Sequence, residues 1–159
     1  MKTWFGETWY LVKSLFARMP KDDNDSMEIV QMKFYPWPGY SAMSWCGKLI
    51  TRSDPSEISW VTKVHEGIHL QQARIRGGWW PFYFLYLMEY LWNLLVLWLG
   101  VNGAYYCISV EMQAYGRQED PEYKVNKENM KLYRFGWKKK KIWRQNKNNW
   151  RAFTRGIEE

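Results

Sequence analysis

The apolar positions fall into blocks whose spacing changes along the chain. Between residues 4 and 18, Trp4, Trp9, Leu11, Val12, Leu15 and Phe16 gather on one side of a helical wheel. Glu7, Lys13 and Ser14 take the other side with Arg18 at its edge, which predicts a short amphipathic helix. Residues 21–26 are polar throughout and predict a surface loop. Residues 28–35 and 44–52 predict two strands, and the turn signal Pro36-Trp37-Pro38-Gly39 between them predicts a hairpin-like pair. Asp54 as N-cap, Pro55 at the first helical position and Glu57 three residues after Asp54 then announce a helix. Ile58, Val61, Val64 and Ile68 continue it at helical spacing towards Ile75, and Gly77-Gly78 ends it. A second helix is expected over 81–99, stopping at Gly100. A third, over about 109–118, carries Glu111, Ala114 and Tyr115 before Asp120-Pro121 breaks it. The expected class is α+β, mostly helical, with a small antiparallel sheet or hairpin ahead of the helix over 55–75.

With 159 residues the chain has room for one domain with its own core. Hydrophobic residues make up 47% and aromatics 19%, twelve of them tryptophan, which excludes disorder for most of the length. Two cysteines, Cys46 and Cys107, are no disulfide framework and leave the redox compartment open. The net charge of +7 is uneven: residues 131–159 hold ten Lys/Arg against two Glu, while the first 130 hold 13 basic and 14 acidic residues. The expected organisation is therefore a domain over 1–130 and a basic, Trp-rich C-terminal extension over 131–159. Glu7, Lys13 and Arg18 interrupt the N-terminal stretch and leave no signal-peptide layout. The expected location is cytoplasmic or peripheral to a membrane.

Chemistry concentrates at His65-Glu66-Gly67-Ile68-His69, inside the helix over 55–75, and these are the chain's two histidines. Positions i and i+4 share a helix face, so both imidazoles can meet one metal ion. Glu66 stands about 100° around the helix from His65 and flanks that ion without having to bind it. Two neutral imidazoles for Zn2+, an open position for water and a carboxylate to take the water's proton are what a metallopeptidase needs. The bland alternative is a pair of ordinary half-buried helix histidines. A catalytic zinc usually takes three protein ligands, and two carboxylates compete for the third place. Glu111 opens Glu111-Met112-Gln113-Ala114, and Glu89 comes level with His65 if the second helix folds back through Gly77-Gly78. Glu89 sits in a very apolar helix and needs a partner, which ligation or the orienting of a ligand histidine would supply. An oxyanion would need a donor facing the metal. With both histidines committed, Tyr105, Tyr106 and Tyr115 are the candidates.

His-Glu-x-x-His with a downstream helix bearing Glu-x-x-Ala resembles the gluzincin clan of zinc metallopeptidases, including its smallest members, over about residues 40–120. The resemblance implies a minimal zincin-like domain that hydrolyses peptide bonds in a peptide or protein substrate. It implies Zn2+ held by His65, His69 and Glu111, with Glu66 as general base and acid. It also implies that Ala114 lets its helix approach the motif helix, and that a strand, here 44–52, runs along the cleft antiparallel to substrate. Tyr115 departs from the pattern, because many members carry an acidic residue after the alanine. The carboxylate that orients a ligand histidine is then missing or supplied elsewhere, Glu89 being one source.

Residues 79–99 carry one charge, Glu89, in 21 residues, with tryptophans at both ends and Arg74 and Arg76 on one flank. About 20 apolar residues span a bilayer. Spanning would separate His69 from Glu111 by about 30 Å, so a core helix packed on the motif helix is expected, with peripheral membrane contact next. In the extension, Trp137, Lys138–Lys141, Trp143, Arg144, Trp150 and Arg151 interleave cations with aromatics. The plainest reading has these tryptophans packing back on the domain. An anionic membrane surface is the next reading, and nucleic acid the last, since no nucleic-acid fold accompanies the stretch. The leading function is thus a zinc peptidase. The alternative is a membrane-surface binding protein with a structural or vestigial metal. The oligomeric state stays open.

Overall fold

The structure is a computed structural model that describes residues 3–19, 27–36, 38–40 and 42–159. The loop expected over 21–26, and Trp37 of the expected turn, lie outside the described residues. The class is α+β, mostly helical, with a small mixed sheet ahead of the motif helix.

The first helix, α1 (Trp4–Ser14), starts at Thr3, whose hydroxyl accepts from the Gly6 amide. It buries only part of the face its apolar residues predict: Leu11 is buried and Leu15 packs against the core, but the rest of the set is turned outward. Glu7, Leu11 and Ser14 point inward, while Trp4, Phe5, Trp9, Val12 and Phe16 are exposed. Glu7 decides this: its carboxylate accepts the backbone N–H groups of Lys33 (2.8 Å) and Phe34 (2.9 Å). A buried carboxylate with two such bonds is satisfied where a bare one is not.

Three strands, β1 (Glu28–Gln31), β2 (Ala42–Trp45) and β3 (Lys48–Thr51), lie in the order β1-β3-β2. The two segments expected to form a hairpin pair in parallel instead, with Glu28 opposite Lys48 and Gln31 opposite Thr51. The hairpin lies inside the second segment, where β2 runs antiparallel to β3 around Cys46-Gly47. Both turn residues have positive φ, 50° and 79°, the conformation a tight two-residue hairpin demands and one that glycine adopts freely. The Cys46 amide donates to Tyr83 Oη (2.9 Å), tying the turn to the helical layer.

Asp54 caps a single 3-10 turn, Pro55–Glu57, rather than the long helix. Ile58 is extended, and Ser59 caps α2 (Trp60–Ile75) by accepting from the Thr62 amide at 3.1 Å. After Gly77 and Gly78, α3 (Trp79–Leu91) folds back along α2. One π turn, Trp92–Val96, and a left-handed Trp98 (φ 52°) end this run, and α4 (Gly100–Tyr106) follows where the sequence offers no helix. Among the described residues no helix is long and apolar enough to cross a membrane. Nor is α3 wholly core: Trp79 and Phe82 are buried, but Trp80, Phe84, Leu85, Leu87 and Met88 are exposed.

The chain continues through α5 (Ser109–Arg117), α6 (Lys127–Leu132), α7 (Lys139–Asn146) and α8 (Trp150–Arg155). The basic C-terminal stretch folds back on the rest. Trp150 and Tyr133 are buried with Cys107 and Met112, and Trp143 stacks on Tyr106 at 6.0 Å. α8 crosses α5 so closely that a Cβ on Gly116 would stand 2.5 Å from the Thr154 carbonyl oxygen. Cys46 and Cys107 are both buried free thiols.

Candidate metal centre

α2 supplies His65, Glu66 and His69 to one inner face, all less than a tenth exposed. α5 brings Glu111 against them. Glu111 Oε2 lies 3.4 Å from His65 Nε2, and Oε1 lies 3.4 Å from His69 Nε2. Ligand atoms of the three residues all lie within 4.8 Å of one another, so the group can hold a metal ion. Glu111 Oε2 is buried and makes no hydrogen bond. Leaving such an oxygen unpaired costs about 1–3 kcal/mol, more for a charged group, and a cation between the three side chains would satisfy it.

Amides orient both imidazoles. His69 Nδ1 donates to Gln72 Oε1 (2.8 Å), and His65 Nδ1 donates to Gln118 Oε1 (3.2 Å). The Gln72 amide cannot turn round, because its nitrogen donates to Val110 O (3.0 Å) and Gln113 Oε1 (2.9 Å). Gln113 is held in turn by donating to Tyr123 Oη (2.8 Å) and Asn129 Oδ1 (2.9 Å). A neutral ring whose Nδ1–H is engaged presents its Nε2 lone pair to the centre, as a metal ligand must. The carboxylate that the resemblance leads one to seek beside a ligand histidine is thus replaced by two glutamines.

Glu89 stands elsewhere. Its Oε1 accepts from the Ser109 amide (3.0 Å) and hydroxyl (2.5 Å) and pairs with Lys139, so it caps α5. Tyr86, one turn earlier on α3, reaches the centre and donates to Glu111 Oε1 (2.8 Å). Gln72 was legible in principle as the residue three positions past His69, on the same helix face, and Gln118 as the residue seven past Glu111. Nothing local marks Tyr86.

Without a cation the cluster settles its charge internally. Burial opposes charge on His69, but the Glu111 carboxylate, with Glu66 and Gln72, outweighs it and raises the imidazole pKa to about 9. Burial pushes Glu111 up, and the two histidines more than reverse this, holding it well below the usual carboxylate range. Burial, then Glu111, pushes the Tyr86 hydroxyl well above its ordinary value.

The centre opens into a cleft of about 1430 Å3. All four residues of β2 line one wall, and Tyr83, Tyr86 and Tyr90 of α3 line another. β2 pairs with β3 alone, so its other edge is unpaired among the described residues. Tyr105, Tyr106 and Tyr115 also reach the cleft; the Tyr115 ring meets His65 at 4.6 Å, and the Tyr105 and Tyr115 hydroxyls are 3.5 Å apart. No family model matches this chain, and no curated protein or solved structure matches it.

Proposed function

We propose that the chain is a zinc-dependent metallopeptidase, with His65, His69 and Glu111 as the zinc ligands and Glu66 as the general base and acid. The observation that carries this reading is the pair of 3.4 Å separations from Glu111 to the two imidazole nitrogens. Ligand atoms of a tetrahedral zinc with bonds of about 2.0–2.1 Å stand about 3.3–3.4 Å apart. The donor set of two imidazoles and one carboxylate is one that catalytic zinc uses. Zinc bound there would polarise a substrate carbonyl and lower the pKa of water to roughly 7.

Glu66 follows His65 directly and lines the same cleft. Its carboxylate takes a proton from the water that adds to the scissile carbonyl carbon. It returns that proton to the departing amide nitrogen as the C–N bond breaks, so acid and amine leave neutral in sum. Of the cleft tyrosines, Tyr83 already serves the Cys46 amide and Tyr86 serves Glu111. Burial raises the hydroxyl pKa of Tyr105 and of Tyr115. They stay protonated and are the donors for a developing oxyanion. The free edge of β2 suits an extended peptide, which would pair its backbone there as an added strand.

The test combines metal content and turnover. Wild type should hold one zinc per chain and cleave an unfolded protein substrate. His65→Ala should lose the zinc, and Glu111→Ala should hold it more weakly. Glu66→Gln should keep the zinc and lose about 10²–10⁴-fold in rate. A Glu66→Gln protein that cleaves as fast as wild type, or a wild type that holds no metal when zinc is offered, would remove the reading.

A further inference from the structure

We infer that the bare face formed by α3, its π turn and α1 is a docking surface for an anionic bilayer, on which the protein lies without crossing it. From Gly77 to Val110 the chain carries a single charge, Glu89. That carboxylate turns inward to Ser109 and Lys139, so the outward face of α3 is free of charge. Trp80, Phe84 and Met88 recur every four residues along this face, 55%, 63% and 48% exposed. Trp98 is 78% exposed and left-handed, a costly backbone for a bulky residue. A surface helix normally turns such residues to the core, and apolar patches left bare beyond a few hundred Å2 mark interaction sites.

The face continues to both sides. Phe16, at the end of α1, meets Trp80 edge-on at 5.8 Å, joining the exposed aromatics of α1 to those of α3. On the far side Trp92 meets the exposed Trp137 at 5.1 Å. Trp137 leads directly into Lys138, Lys140 and Lys141 (Lys139 being buried against Glu89), within a stretch of ten basic and two acidic residues.

That charge selects the occupant. A second copy would bring the same cations to the same apolar face and repel, whereas anionic headgroups neutralise them while acyl chains cover the apolar side chains. Tryptophans at the margin suit the headgroup level. Leu87 is exposed on α3 and also lines the cleft, so docking sets the cleft mouth at the membrane surface. The inference does not depend on the peptidase reading, since lipid binding is scored without turnover.

The test is flotation of the full chain with vesicles of phosphatidylcholine alone or mixed with phosphatidylserine. Wild type should float with the anionic vesicles and at least about tenfold less with the neutral ones. Phe84→Gln/Leu95→Gln changes two exposed side chains, Phe84 on α3 and Leu95 on its π turn. It should keep the circular dichroism spectrum and thermal midpoint and lose at least about tenfold in partition. Lys138→Glu/Lys141→Glu should abolish the preference for phosphatidylserine with the fold intact. Wild type that floats with neither vesicle overturns the proposal, as does a folded Phe84→Gln/Leu95→Gln variant that floats like wild type. A wild-type dimer in light scattering that the same variant dissociates, with no vesicle binding by either, would make the face a protein interface instead.

Discussion

His69 shows how one side chain answers to both its helix and its distant neighbours. Its place one turn beyond His65 on the same helix face follows from helix geometry alone, but its proton depends on Glu111, 42 positions away in the sequence. In the cation-free protein its pKa is raised from 6.5 to about 9. The stabilisation from the His69–Glu111 pair is therefore complete below about pH 6.5 and lost as pH rises to about 9. Metal binding must displace that proton, so zinc affinity rises across the same window. Thermal unfolding from pH 6 to 9.5 should show a falling midpoint with chelator present and a zinc-induced increment that grows with pH. A pH-independent increment would mean that His69 carries no proton to displace. Gln72 holds the ring for this role. Gln72→Leu should weaken zinc binding by about 10–100-fold in a competition titration with a chromogenic chelator. Gln72→Glu, which keeps the acceptor, should recover part of the loss.

Among the helices, α5 owes its position to residues that do not touch the candidate metal centre. Glu89 caps its first turn and neutralises Lys139, whose side chain is 4% exposed. Glu89→Ala leaves a buried lysine without its partner and should cost on the order of 3–5 kcal/mol in urea unfolding. Adding Lys139→Met should restore most of that stability, with one zinc per chain still bound. Loss of zinc in the double variant would instead return Glu89 to the ligand set. The pattern of α1 was misleading for a related reason. Its apolar residues form a true helical stripe, yet only Leu11 and Leu15 of that stripe pack inward while Trp4, Trp9, Val12 and Phe16 face solvent, because the bonds from Glu7 to Lys33 and Phe34 turn the Glu7 side to the core. The strands were legible in part. Gly47 marks the β2–β3 turn, but the parallel pairing of β1 with β3 joins residues 20 apart and leaves no local signature.

At the scale of the whole molecule, the C-terminal stretch buttresses the centre from behind. Gly116 lets α8 press against the helix that carries Glu111, and Glu158 accepts the hydroxyls of Tyr123 (2.5 Å) and Tyr133 (2.7 Å). Tyr123 in turn accepts from Gln113, so hydrogen bonds run from the chain's end to His69. Gly116→Ala should force α5 and α8 apart, at a cost of about 1–3 kcal/mol. Calorimetry should show a midpoint lowered by several degrees, and the same variant should bind zinc more weakly. An unchanged midpoint would mean that the two helices yield without cost. The sequence by itself determined what depends on neighbours along one helix or one turn: the His65/Glu66/His69 face, the reversal at Gly77-Gly78, and the concentration of positive charge after residue 130. Only the tertiary structure brought Glu111, and not Glu89, against the two histidines and turned most of the apolar side of α1 to solvent. It also supplied glutamines where carboxylates were sought. Apart from Gln72, a helix neighbour of His69, each of these rests on contacts between segments far apart in the chain, where burial and hydrogen-bond satisfaction, rather than spacing, select the partner.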